Sequence, residues 1–421
     1  MNKEDLFFVL FAQQQEFKKE EPTIPREATR KALDLLKLNL PLIITGVRRC
    51  GKSYLLKIIK SELQLKEKEY FYLNFNDDRL TKFETEDFQK ISDFIQEQNY
   101  DEKCFLFVDE IQEVSNWEKW VDRMKENHKM VITGSNSKLL SSEISSILTG
   151  RSLSLWLTPF NFREFLKAKN INLENWNVDS KKQSALRVSF KEYLEGGVFP
   201  KRVLTGQDVI IKELYEQILY RDVADRFGKK LTKPIKEISV HLLSNPSSLL
   251  SIRQMSTMIN VKNLGTVKSI LDAFEGSFVF FFVNKFDTSV KKQVQNPRKA
   301  YCIDTGFPIV LGFRMSEDKG KLLENIMAVE LKRRGKEIFY YSDKNECDFV
   351  VRKGNAIVEA FQVCYTLNNE SKEREIGGIL AAMKRFNLKE GIILTYDQEE
   401  EIIVEKRKIK VIPAWKWLLS G

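Results

Sequence analysis

Eight residues, Gly46-Val47-Arg48-Arg49-Cys50-Gly51-Lys52-Ser53, carry two glycines and a Lys-Ser pair at the spacing of a phosphate-binding loop. Each part has a physical task. The glycines let the backbone turn with its N–H groups facing inward, and the following helix N-terminus adds positive potential. Lys52 is expected to reach the β- and γ-phosphates of ATP, and the Ser53 hydroxyl to ligate Mg²⁺. Gly46 through Ser53, with Tyr54 after them, are therefore the expected nucleotide-binding residues. A chance match in a glycine-containing turn is the alternative. The apolar run "LPLIIT" before the loop and the helical "SYLLKIIKSEL" after it argue against chance.

A phosphate loop needs a second metal ligand, and "CFLFVDEIQ" offers one. Four apolar residues deliver Asp109 to the C-terminal end of a strand, where ligands bind in parallel sheets. Asp109 is expected to hold Mg²⁺, and Glu110 to orient or deprotonate the attacking water. Taken alone, the pair would read equally well as a cap on the next helix. The following run, "KMVITGSNS", ends in Ser135 and Asn136, either of which could face the γ-phosphate or the water, with Thr133 a weaker choice. Arg151 precedes a fifth apolar run. It reads either as an arginine finger acting on a neighbouring subunit, which implies a homo-oligomer, or as an ordinary surface arginine.

The elements that must position these groups alternate. Short apolar runs at 40–45, 70–75, 104–109, 129–134 and 153–158 are separated by amphipathic stretches, the pattern of a parallel sheet covered on both faces. Residues 1–165 are thus expected to form an α/β domain. Residues 166–300 read as a helical and winged-helix region, with "FVFFFVNKF" pairing with the stretch around "RKAYCID" as the wing. Lys262, Lys268, Lys291 and Lys292 could stand near a DNA backbone there. The helix "LGTVKSILDAF" is poor in Arg and Asn, so base readout is not evident, and a purely structural joint is the alternative. Residues 301–421 mix a helix with strands, including "KVIPAWKWL".

Composition sets the limits. The chain has 421 residues, enough for two or three domains, with 43% hydrophobic residues and a formal charge of +9. That charge suits a nucleic-acid or acidic-surface partner, but also a mixed solvated surface. Five scattered cysteines without a CxxC and only two histidines give no disulfide framework or zinc site. Reduced thiols point to the cytoplasm. The N-terminal "LFFVLFA" is too short to span a bilayer and follows Glu4 and Asp5 rather than a basic stretch, so neither a membrane span nor a signal peptide is expected.

Together, "ITGVRRCGKSYLL", "FYLNFNDDRL", "LFVDEIQEVSNWEKWV", "VITGSNSKLL" and "LTGRSLSLWLTPFNFREFL" resemble a prokaryotic family of AAA+-type ATPases with a C-terminal domain of unknown function. "YLEGGVFP", "LYRDVADRF", "ENIMAVELKRRG" and "ECDFVV" resemble that C-terminal module. The resemblance implies an AAA+-like core with Lys52, Ser53, Asp109 and Glu110 in their usual roles, and Gln112 near the nucleotide face. It supplies no substrate for the energy released.

The resemblance also implies a last module akin to the PD-(D/E)xK nuclease fold, residues 301–421. That chemistry needs a helix carboxylate, a strand Asp and an acid-x-Lys on the next strand, the acids holding Mg²⁺. Glu324 and Asp348 fill the first two places. In "IVEAFQVCY", Glu359 and Gln362 compete for the third, but side chains alternate along a strand. With Glu359 as the acid, the lysine place falls on Phe361; with Gln362 as the lysine, the acid falls on Ala360. Neither register supplies both groups, so a binding module on a nuclease-like scaffold is expected, with an ATP-dependent DNA nuclease as the rival reading. A nucleotide-gated switch with little turnover is a third.

Overall fold

The computed structural model describes residues 1–136, 139, 152–313 and 318–420. Two compact units emerge: Met1–Thr158 with Gly276–Phe278, and Pro159–Glu275 with Val279–Gly421.

The first unit is built on five parallel strands, β1 (Leu42–Thr45), β2 (Tyr70–Asn74), β3 (Phe105–Asp109), β4 (Lys129–Gly134) and β5 (Leu153–Trp156), in the order β2-β3-β4-β1-β5. All four residues of β1 are buried, as a strand covered on both faces requires. The order inserts β4 between the loop strand β1 and the acidic strand β3. The C-terminal end of β4 therefore opens between the phosphate loop and Asp109, with Thr45 opposite Gly134 in register.

Helices α1 (Lys3–Lys18), α2 (Ala28–Leu36), α3 (Lys52–Glu62), α4 (Phe88–Glu97) and α5 (Trp117–Met124) pack in this unit. Helix α1 closes the β2 edge through two glutamine carboxamides. Gln14 donates to the Tyr72 carbonyl at 2.6 Å and accepts from its N–H at 2.9 Å, and Gln13 does the same at Asn74, at 3.0 Å each way. A carboxamide carries the donor and acceptor of a peptide unit, so an edge that would otherwise invite another strand is paired.

In the second unit, β6 (Ser248–Leu250), β7 (Phe280–Val283) and β8 (Arg298–Cys302) form an antiparallel sheet in the order β6-β8-β7. Between β6 and β7 lie the helices Ile252–Met258 and Leu264–Gly276, with the Asn263 side chain accepting from Gly265 N at 2.8 Å in the turn. The phenylalanine-rich β7 is buried throughout and serves as a core strand.

A mixed six-stranded sheet follows, made of β9 (Glu337–Ser342), β10 (Glu346–Lys353), β11 (Ala356–Val363), β12 (Glu390–Thr395), β13 (Glu400–Val404) and β14 (Arg407–Pro413), ordered β13-β14-β12-β11-β10-β9. The helix Lys319–Arg333 precedes it in the chain, and the helix Asn369–Arg385 joins β11 to β12.

The structure departs from the sequence expectation in three places. "AWKWLL" is the helix Ala414–Leu419 rather than strand, because Pro413 lacks a donor to continue the ladder. Strand β13 was not anticipated; its alternation is masked by an exposed, charged edge. The boundary drawn at residue 300 falls inside one unit. Chain leaving β7 bonds to β9, Phe286 N to Tyr340 O at 2.7 Å and Tyr340 N to Asn284 O at 3.1 Å, so the smaller sheet runs into the larger.

Candidate nucleotide-binding site

The loop between β1 and α3 is shaped by its glycines. A Cβ on Gly46 would stand 2.1 Å from the Leu157 carbonyl oxygen, so only glycine lets the loop pass β5 this closely. Gly51 sits at φ +105°, a backbone region that side chains resist, as it turns the chain into α3. Arg49 also has positive φ and faces solvent, whereas Val47 and Cys50 are buried. Burial pushes the Cys50 thiol above its ordinary pKa, and the thiol donates to the Leu157 carbonyl at 3.4 Å, a packing role rather than a reactive one. Tyr54 is half exposed and hydrogen-bonds Glu21 instead of turning into the loop.

A residue that no sequence motif singles out fastens this loop from outside. Arg26, just ahead of α2, is buried; its Nη1 donates to the Cys50 carbonyl at 2.8 Å and its Nη2 to the Thr158 carbonyl at 2.6 Å. One planar fork thus ties the loop to the end of the β5 segment.

The chemistry-bearing side chains converge. The Lys52 ammonium is buried, donates to the Gly46 and Val47 carbonyls at 3.2 and 3.3 Å, and pairs with Glu110 Oε1 at 3.2 Å. Burial alone would lower the Lys52 pKa, but Glu110, Cys50 and Asp109 together raise it, so it stays charged. Asp109 is buried and takes hydrogen bonds from Ser53, from the Thr133 hydroxyl at Oδ1 and from Tyr72 Oη at 3.2 Å. Burial, then the neighbouring Glu110 charge, push the Asp109 carboxyl upward. Glu110 goes the other way. Burial would raise it, but Lys52, Gln112 and Arg48 hold it down at about 2.

Glu110 adopts a left-handed backbone, φ 52°, which turns its side chain back toward the loop. Its Oε2 accepts from Gln112 Nε2 at 2.6 Å and from Ser135 N at 3.1 Å, and its own N–H donates to Thr133 Oγ1 at 3.1 Å. Thr133, ranked below Ser135 and Asn136 from sequence, thus bridges both acids, while Ser135 serves Glu110 through both its backbone N–H and its side chain. Asn136 is half-buried at the end of β4. Arg151 lies outside the described residues.

Ser53 and Asp109 are therefore in hydrogen-bond contact, two oxygen donors of the kind Mg²⁺ prefers, at the helix N-terminus beside a buried lysine. The donor set fits a magnesium–nucleotide complex.

Against proteins of known sequence, the chain is 36% identical over 405 residues to the uncharacterized protein MJ1544 of Methanocaldococcus jannaschii, covering 90% of this chain and 88% of the relative. The two belong to one family. A Haemophilus influenzae member, also uncharacterized, is 30% identical over 351 residues, 79% of this chain and 84% of its own. Within the family framework, residues 39–166 match the AAA domain, and residues 187–316 match a Domain of unknown function (DUF8612).

Among solved structures, DnaA from Aquifex aeolicus bound to AMPPCP aligns with TM-score 0.27 at 16% identity, over 60% of this chain and 89% of its own. The Aeropyrum pernix ORC1 protein in complex with DNA aligns with TM-score 0.33 at 10% identity, over 74% and 95%. Scores this low assign no role to any residue. Among the described residues no helix is long and apolar enough to cross a membrane.

The second unit brings together only part of the expected nuclease-like set. Glu324, Asp348 and Gln362 are buried neighbours: Gln362 Oε1 accepts from Asp348 N at 3.2 Å. Glu359 is not among them. It sits opposite Val351 in the β10–β11 ladder and pairs with Lys336 Nζ on the other face. The parity of the strand decides this, three residues separating the two side chains. Sequence reading missed Lys299, Tyr301, Glu346 and Glu375, which complete the cluster from β8, β10 and the helix Asn369–Arg385.

Proposed function

We propose that this chain binds Mg-ATP at the loop 46–54 and hydrolyses it. The observation that carries the reading is the convergence of Lys52, Ser53, Asp109 and Glu110 at one end of the sheet, with Lys52 Nζ 3.2 Å from Glu110 and Ser53 bonded to Asp109. In this reading Ser53 and Asp109 hold Mg²⁺, which when bound neutralises phosphate charge and polarises the transferring group. Lys52 exchanges its Glu110 partner for phosphate oxygens. Glu110, freed from that ion pair but still tethered by Gln112 and Ser135 N, accepts a proton from the attacking water. Thr133 keeps the two acids in register with each other, and Asn136 faces the γ-phosphate or the water.

Hydrolysis drives a rearrangement of the C-terminal region, with DNA as partner and a homo-oligomer as the working form. The net charge of +9 and the exposed Lys262, Lys268, Lys291 and Lys292 support a DNA contact. The test is Mg-dependent ATP turnover of the full chain, measured alone and with single-stranded and duplex DNA at two salt concentrations. Turnover lost in Lys52→Ala, with DNA stimulation that falls steeply with salt, is the expected result. Tight ATP binding with no product release would leave a nucleotide-gated switch, and no binding would end the reading.

A further inference from the structure

Strand β8 sends Lys299 into the carboxylate cluster of the six-stranded sheet. Its ammonium stands 3.0 Å from Glu324 Oε1, 2.8 Å from Glu346 Oε1 and 2.9 Å from Asp348 Oδ1. Lys299 is itself buried. Two of its N–H groups donate to Glu324 and Asp348, and Glu346 adds an ion pair from the more exposed side.

Other groups hold Asp348, Glu324 and Gln362 in place. Asp348 Oδ2 accepts from Val363 N at 3.0 Å, and Glu324 Oε1 accepts from Tyr301 Oη at 2.7 Å. Gln362 spends its carbonyl on Asp348 N and its amide on Glu375 Oε2 at 2.6 Å, while Arg374 neutralises Glu375. The lysine absent from β11 is thus present from another strand. It does not stand beside a vacant acid pair but at the point on which the acids converge.

We propose that the Lys299 ammonium takes the position a divalent cation would need between Glu324, Glu346 and Asp348, leaving the cluster closed to metal. Buried carboxylates without a partner are costly, and a fixed cation on the chain offsets part of that cost without any ion from solution. The ammonium would have to leave Asp348 Oδ1 before a cation could take its place. The same ion pairs fasten β8 to β10 and to the helix Lys319–Arg333. The cluster then works as a permanent clasp within the second unit, and the nuclease-like sheet as a scaffold. This inference is independent of the nucleotide-site reading.

The test is a thermal melt of the nucleotide-free full chain with and without Mn²⁺, comparing the native lysine with Lys299→Met and Lys299→Gln. An ion bound by the first unit shifts all three alike, so the readout is the difference. The variants are expected to melt lower and to regain stability with Mn²⁺, binding it at least about tenfold more tightly than the native chain does through this cluster, because removing a positive charge uncovers opposed acids. A further Asp348→Asn change should abolish the regain.

Should neither variant fold, the native chain still decides the matter. Mn²⁺ binding that Asp348→Asn removes from it, or DNA cleavage in Mn²⁺ that the same change removes, overturns the proposal and makes Lys299 the cationic partner of an open nuclease site. Folded variants that gain no Mn²⁺ overturn it as well.

Discussion

Lys52 and Glu110 are paired at 3.2 Å, both largely removed from water, at the spot where the proposed reaction requires them to serve a phosphate and a water separately. ATP must therefore compete with Glu110 for the lysine. Glu110→Gln is expected to lower the turnover number by about a hundredfold or more through loss of the base, while ATP binds as tightly or more tightly. Single-turnover rates beside equilibrium titration with a fluorescent nucleotide separate the two effects. Equal losses in binding and turnover would contradict the competition.

The Thr133 hydroxyl accepts from Glu110 N and donates to Asp109 Oδ1, so it cannot be replaced by a methyl group without leaving two buried polar groups short. Thr133→Val should destabilise the fold by about 1–3 kcal/mol, and Thr133→Ser by much less. Urea denaturation of the three chains checks this. A valine variant as stable as the parent would show that water replaces the hydroxyl.

Gln112 steadies Glu110 Oε2 from 2.6 Å and contributes no charge of its own. Gln112→Ala should reduce the turnover number by about ten- to a hundredfold by letting the carboxylate wander. The KM for ATP should hardly move. A raised KM with unchanged turnover would instead place Gln112 in nucleotide binding.

Arg26 bonds the Cys50 and Thr158 carbonyls at 2.8 and 2.6 Å with two different guanidinium nitrogens. Lysine offers one point charge and cannot span both. Arg26→Lys and Arg26→Ala should each weaken ATP binding and lower the melting temperature, at a cost of about 1.5–3 kcal/mol for the alanine. Recovery of binding by the lysine variant would reduce the role of Arg26 to charge alone.

Burial and the Asp348 charge raise the Glu324 carboxyl from its ordinary 4.5 to about 7, against the opposing pull of Lys299 and Tyr301. The folded chain then holds a proton that the unfolded chain has released. Stability from this group is full below about pH 4.5 and is lost as pH rises through about 7. Asp304, raised by burial from 3.8 to about 6, acts in the same direction. Glu324→Gln should flatten the decline in stability between these limits by about 1–3 kcal/mol. Denaturation midpoints of both chains at a series of pH values measure it, and identical slopes would refute it.

What the linear chain determined was local. The phosphate loop is readable because its glycines, lysine and serine are neighbours at fixed spacing within eight residues. Asp109 was legible because an apolar strand delivers it, and the failure of Glu359 and Gln362 to form one pair followed from strand parity alone. The tertiary structure decided whatever depends on distant segments meeting. The order of strands sets Thr133 between two acids, 24 and 23 residues away from them. Arg26 reaches a carbonyl 132 residues later, and Lys299 meets Asp348 across 49. A buried charge must find its partner wherever the packing puts one, and sequence spacing carries no record of that search.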